Sequence, residues 1–420
     1  MIKTVLQFIS DFVYLYPLLM SFVWSVGGLI FFWKQERGRH VPEEIAEYPV
    51  FSILVPCHNE EDQIEETVSH LQDIDYPRYE IILIDDGSID ATASKIHTLC
   101  EKHDRVRGIY FRNNEGKASA LNAGCIAANG ELIMSVDADA LLDRNVLKWM
   151  AWHFVKFPRV GAVTGNPRVI NRTTLLGKIQ TGEYATIIGL IKRAQRILGK
   201  VLTVSGVVAA FRKDALASVG FWDTDMVTED IDVTWKLEKK FWDVRYEPRA
   251  ICWVFVAESI RGLWRQRLRW AQGGVEVLRK HRDIWHQWKQ RRLWPVYLEY
   301  IFSSIWAYSF WTLVVLWAIQ ASLKIFMPII LVPPIPPLWT GSVLASVCLI
   351  QFVVCIYIDN FYDKKLFKYL FWVIWYPFIY WMISALALVF AFPKAFLKKK
   401  GTSATWISPD RGIEKFGEVK

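Results

Sequence analysis

Five short clusters in the 420-residue chain carry side chains able to do chemistry. Asp137 and Asp139 flank a single alanine. Two carboxylates so spaced at the end of a strand can reach one hard divalent cation, whose remaining positions a substrate's phosphates would fill. Asp85 and Asp86, followed by Gly87 and Ser88, can accept hydrogen bonds from a nucleobase N–H or a ribose, or cap the helix that follows. Lys117 opens a helical stretch, where a cation beside free backbone N–H groups suits a phosphate. Asp230, third in Thr228, Glu229, Asp230, opens another helix; a carboxylate there can take a proton from a hydroxyl or simply complement the helix dipole. Gln266, Arg267, Arg269 and Trp270 share a basic aromatic helix. An arginine can grip phosphate oxygens in bidentate fashion and an indole can stack on a sugar ring, but such a helix also serves as a membrane-surface anchor. The eight histidines have no metal-ligand spacing and read as structural or exposed.

The elements that must position these residues follow from the pattern around them. Short apolar runs at 51–55, 80–84, 106–111 and 131–136 read as strands, and amphipathic stretches at 61–73, 90–103 and 117–129 read as helices. This alternation predicts an α/β domain, a mostly parallel sheet with helices on both faces, whose ligands sit at the carboxyl ends of the strands. The polar clusters fall there: Pro56 to Glu60 after the first strand, Asp85 to Ser88 after the second, Asp137 to Asp139 after the fourth. No GxGxxG follows the first strand, so a nicotinamide or flavin cofactor is not supported.

Hydrophobic residues make up 53% of the chain and concentrate at its two ends. Uncharged stretches at 12–33, 300–323, 339–358 and 369–392 are each long enough to cross about 30 Å of hydrocarbon as helices. Lys34, Arg37 and Arg39 after the first, and Lys289, Arg291 and Arg292 before the second, place the region between them in the cytoplasm. Lysines flank the fourth stretch on both sides and Pro377 interrupts it, which leaves its topology open between a span and a re-entrant segment. The division expected is an N-terminal anchor over 1–34, a cytosolic domain over 50–280, an interfacial segment over 281–298, a membrane region over 299–393 and a basic tail over 394–420. Much of the net charge of +8 lies beside the hydrophobic stretches, where it faces anionic membrane lipid rather than nucleic acid. The six cysteines include no CxxC pair, and packing roles in a reduced compartment suffice.

In order, PCHNEE, DDGS, KASALNAG, DAD, TED and QRLRW, framed by membrane segments, resemble the processive family 2 inverting glycosyltransferases, which include cellulose, chitin and hyaluronan synthases. Within that family, VTGNPRV, LLGKIQTGEY, IIGLIKRAQRI, TVSGVVAAFRKDAL, TEDIDVTWKL, QRLRWAQGG and the terminal SPDRG are most similar to the bacterial poly-β-1,6-N-acetylglucosamine synthases. The resemblance implies a GT-A type, Rossmann-like domain inserted between transmembrane helices of a bacterial cytoplasmic membrane. It implies UDP-GlcNAc as donor, a growing polysaccharide as acceptor, and a small membrane accessory subunit. Asp85, Asp86 and Lys117 would bind the donor; Asp137 and Asp139 would hold Mg²⁺ or Mn²⁺, with Asp139 the more direct ligand. Asp230 would be the general base, and one base in a single in-line displacement gives a β-linked product from an α-linked donor. Trp270, supported by Gln266 and Arg269, would hold the acceptor end over the donor, with Arg267 beside them. The sugar and the linkage rest on the resemblance alone. Another processive β-glycan synthase, or a single-transfer enzyme acting on a lipid carrier, fits the same motifs. A transporter with a nucleotide-sensing domain would need ionisable residues inside its spans, and the four stretches contain none.

Overall fold

The computed structural model describes residues 2–38, 41–323, 339–373, 376, 380–398 and 401. Its strands are β1 (Phe51–Cys57), β2 (Tyr79–Asp85), β3 (Val106–Tyr110), β4 (Leu132–Val136), β5 (Leu141–Leu142), β6 (Val160–Val169), β7 (Val208–Arg212) and β8 (Asp243–Val254). They form one sheet in the order β3-β2-β1-β4-β7-β6-β8-β5. The four strands read from the alternation are β1 to β4, and they pair in parallel. Their connecting helices are α2 (Ile64–Gln72), α3 (Thr92–Lys102) and α4 (Lys117–Ala127). Every residue of β1 and β4 is buried, as strands covered on both faces require.

The sheet does not stay parallel. β7 runs antiparallel to both β4 and β6, and β5 antiparallel to β8. After β6 the chain leaves the sheet through α6 (Leu175–Glu183), a helical turn over Tyr184–Leu190 and α7 (Ile191–Leu198). It returns at the carboxyl edge, where Val208 of β7 pairs with Val136, the last residue of β4. A strand entered from that edge must run backwards, and the loop that feeds it, residues 203–207, is thereby laid beside the end of β4.

The other helices are α1 (Ile2–Phe31), α5 (Val146–Lys156), α8 (Lys213–Val219), α9 (Glu229–Lys239), α10 (Ile260–Lys280), α11 (Trp294–Leu323), α12 (Trp339–Asp359), α13 (Leu370–Val373) and α14 (Trp381–Leu397). The helices over Ile2–Glu36, Trp294–Leu323 and Gly341–Asp359 are long and apolar enough to cross a membrane. The first begins at Ile2, ten residues before the uncharged stretch, because a charge such as Asp11 limits a span but not a helix. The fourth stretch is described at α13 and α14; Pro377, the SPDRG motif and residues 402–420 lie outside the described residues.

The long apolar helices α1 and α12 are fastened to the sheet through α7. A Cβ on Gly27 of α1 would lie 2.7 Å from Cβ of Ala194, so only glycine lets α1 lie this close to α7. Arg193, fully buried, donates to Glu36 at 2.6 and 3.0 Å and pairs with Asp359 at 2.9 Å. Asp359 in turn pairs with Arg168 of β6 at 2.9 Å. Two buried cations and two buried anions thus join the end of α1, α7, α12 and the sheet. Removing one member would leave an unpaired buried charge, costing about 3–5 kcal/mol.

Candidate active site

The DAD turn is fixed from below. Thr67 Oγ1 donates to the Ala138 carbonyl at 2.6 Å, and the Ala140 N–H donates to the Asp137 carbonyl at 3.1 Å. Ala138 and Ala140 are packed in the core, which leaves the two aspartates to carry the polar chemistry of the turn. Burial pushes the Cys252 thiol well up, with Asp137 and Asp139 both adding to the effect.

Asp85 and Asp86 are both buried at the end of β2. The Asp86 carboxylate accepts the backbone N–H groups of Glu115 at 2.8 Å and Gly116 at 2.9 Å, and so shapes the turn that opens α4. Burial pushes its carboxyl up, opposed by those two bonds. Asp85 accepts the Ser88 N–H at 3.2 Å. His58, one of the histidines expected to be structural or exposed, lies between the Asp86 carbonyl (Nδ1, 2.9 Å) and the Asn114 amide (Nε2, 3.1 Å). It belongs to the same polar edge.

Lys117 is where the clusters meet. Its Nζ lies 2.5 Å from Asp137 Oδ1, 3.5 Å from Glu229 Oε1 and 3.4 Å from the Gly206 carbonyl. Burial works to lower this ammonium, but Asp137, Glu229 and Asp230 more than offset it and the group is held above its ordinary value. The lysine therefore bridges the DAD turn and the TED segment, two motifs about ninety residues apart.

Asp230 stands at the first turn of α9. Its Oδ2 accepts the Gly206 N–H at 3.2 Å and its Oδ1 accepts the Ile231 N–H at 2.9 Å. Burial, then the neighbouring Glu229, push its carboxyl up to about 6, with Lys117 pulling the other way. A carboxylate so placed is ionised at neutral pH yet basic enough to take a proton.

Helix α10 carries the QRLRW cluster and begins with the Ser259 side chain accepting the Gly262 N–H at 3.0 Å. It is locked to α9: His281 Nε2 lies 2.8 Å from the fully buried Asp232, and the Val227 N–H donates to Glu276 at 3.2 Å. Arg267 is buried, donating to Glu183 at 2.5 Å and to Tyr380 Oη at 2.7 Å, with its guanidinium 4.3 Å from the centre of the Trp270 ring. One terminal nitrogen makes both contacts, joining α10 to α6 and to the residue before α14, while Nε is buried without a hydrogen-bond partner. Arg269 is exposed, and Trp270 is partly buried against the core. Gln266 Oε1 is buried without a hydrogen-bond partner.

The structure thus joins Lys117, Asp137 and Glu229 directly, links Asp230 to Lys117 through Gly206, and sets Asp86 behind the turn that opens α4. Among the described residues, no group of three or more His, Cys, Asp or Glu forms a metal cage. A two-carboxylate turn at a strand end nevertheless fits a divalent ion completed by a diphosphate. Sequence reasoning missed Glu183, His58 and Lys192. A glutamate ending LLGKIQTGE and a lysine inside IIGLIKRAQRI gave no periodic signal of burial; only the fold shows them turned inward.

A family model described as "Glycosyltransferase like family 2" matches residues 49–273. The poly-beta-1,6-N-acetyl-D-glucosamine synthase of Staphylococcus epidermidis RP62A is 42% identical, over 96% of this chain and 98% of that one. The protein of the same name from Staphylococcus aureus MSSA476 is also 42% identical with the same coverage. Among solved structures, the mannosyltransferase PcManGT from Pyrobaculum calidifontis, determined with GDP-Man and Mn²⁺, superposes with a TM-score of 0.66 at 20% identity, covering 95% of this chain and all of that one. The fold is the GT-A fold with a mixed sheet, and the chain belongs to the family 2 glycosyltransferases.

Proposed function

We propose that the chain adds N-acetylglucosamine from UDP-GlcNAc, with inversion and processively, to the end of a β-1,6-linked polysaccharide at the cytoplasmic face of a bacterial membrane. The observation that carries this reading is the junction at Lys117, which brings the DAD turn and the TED carboxylates to one strand edge. Identity of 42% with the staphylococcal synthases over nearly the whole chain supports the sugar and the linkage.

In this reading the uridine lies at the edge formed by Asp85, Asp86 and His58, and its diphosphate meets Lys117 and the exposed Arg269. Mg²⁺ or Mn²⁺, held by Asp139 and Asp137, would supply Lewis-acid neutralisation of the departing diphosphate. Asp230 takes the proton from the acceptor hydroxyl as that oxygen attacks the anomeric carbon from the face opposite UDP. One displacement with one base inverts the α-linked donor to a β-linked product. Trp270 offers its indole to the acceptor sugar, and α10 delivers the lengthening chain toward α14, which packs beside it, and α11, whose Tyr297 and Tyr300 hydroxyls donate to its carbonyls. A small membrane subunit would assist at those helices.

Equilibrium binding of labelled nucleotide sugars to the full chain in membranes tests the donor site. UDP-GlcNAc is expected to bind more tightly than UDP-glucose, and a chelator should weaken it roughly tenfold or more, since the ion links the carboxylates to the diphosphate. Preference for UDP-glucose would overturn the sugar; binding indifferent to the chelator would remove the metal from the account.

A further inference from the structure

Behind the loop that contacts Asp230 lies a cation that no part of the mechanism above uses. Lys192 of α7 is buried, and its Nζ lies 2.6 Å from Ser205 Oγ and 3.3 Å from Thr164 Oγ1. Thr164 Oγ1 also accepts the Ser205 N–H at 2.8 Å, so Ser205 is clamped between β6 and α7. The next residue, Gly206, gives its N–H to Asp230 and accepts from Lys117 through its carbonyl. These two groups belong to the peptide units on either side of Gly206, and the clamp on Ser205 fixes the first of them.

We propose that Lys192 is a positioning residue for the transfer: it holds the Ser205–Gly206 turn against Asp230 and supplies the uncommitted positive charge that favours the ionised base. The charged groups facing Asp230 are Glu229 on its own helix, Lys117 from α4 and Lys192 from α7. Lys117 is already paired with Asp137 and Glu229. Among the described residues, no carboxylate lies within ion-pair distance of Lys192; two hydroxyls hold it instead. A buried ammonium without an acid partner is costly, and a cation kept at that cost beside a catalytic carboxylate has a natural use in keeping the carboxylate charged. Burial also lowers the ammonium itself to about 7, with Asp230 opposing.

The proposal rests on Asp230 being the base. Its test is the pH dependence of kcat/KM for UDP-GlcNAc in membranes containing the full chain. The wild type should lose activity as pH falls through about 6, where Asp230 gains its proton. Removing the positive charge makes the ionised base less favourable. In Lys192→Met and Lys192→Gln the acid limb should therefore move up by roughly one pH unit, with donor binding retained, and Lys192→Arg should return it to the wild-type position. An acid limb unmoved in the Met and Gln variants overturns the proposal, whatever the rate. So does loss of donor binding in all three variants, because Lys192 would then be only a structural post. Asp230→Asn run alongside separates the two failures: activity surviving in that variant removes the base itself.

Discussion

Replacing Asp230 by Asn is expected to lower the transfer rate by roughly 10²- to 10⁴-fold, the usual contribution of a positioned general base, while UDP-GlcNAc binds as it does to the wild type. The amide keeps the size of the carboxyl and still offers an oxygen to the Gly206 or Ile231 N–H that Asp230 now accepts, so the helix start is preserved and only the basicity goes. Asp139→Ala should behave differently. In the proposed site it removes a metal ligand, so donor binding and rate should fall together, and the residual binding should no longer respond to Mg²⁺. Direct measurement of donor affinity beside single-turnover rates separates the two. Equal loss of donor binding in both variants would end the division of roles between base and metal ligand.

The second large effect is expected from one methyl group. Gly273 lies inside α10, where glycine costs about 1 kcal/mol relative to alanine, so Gly273→Ala ought to favour the helix. A Cβ there would stand 2.0 Å from Oγ1 and 2.4 Å from Cγ2 of Thr228, a residue itself buried between α9 and α10. Neither side has slack: His281 pins α10 to Asp232, and Trp235 of α9 is fully buried. The methyl must push apart the helix that carries Trp270 and the segment that carries Asp230. A displacement of about 1 Å between acceptor platform and base costs on the order of 10²-fold in rate. Gly273→Ala should therefore yield folded protein that binds donor but transfers poorly. Wild-type turnover in this variant would show that the α9–α10 spacing does not set the geometry of the reaction.

Much of the site was legible because its residues have unusual chemistry at strand ends and helix starts. A two-carboxylate turn after an apolar run, and a carboxylate opening a helix, announce themselves from spacing. What spacing does not carry is which way a side chain faces in three dimensions. Lys117 read as a phosphate cation; that it also ties Asp137 to Glu229 depends on a backward-running strand that feeds the 203–207 loop to the end of β4. Strands β6, β7 and β8 went unread, since β7 is a five-residue run containing two alanines and gives no alternation to detect. Arg267 illustrates the opposite limit. As a residue type it suited a diphosphate, but the fold closes Glu183 and Tyr380 around it, and an ion pair made by residues 84 positions apart leaves no trace in a local pattern. The long apolar helices were visible from hydropathy alone, whereas the buried Glu36, Arg193 and Asp359 cluster that fastens α1 and α12 to the sheet was not, because its ion pairs join residues far apart in the chain.

Polymerisation of N-acetylglucosamine by this chain is tested most directly through the product itself. Membranes containing the chain, with any small partner subunit supplied, would be incubated with radiolabelled UDP-GlcNAc and Mg²⁺, and the labelled material sized and its linkages determined. Long chains joined through β-1,6 bonds are expected. Addition of a single sugar to a lipid, or long chains from UDP-glucose and none from UDP-GlcNAc, would contradict that expectation.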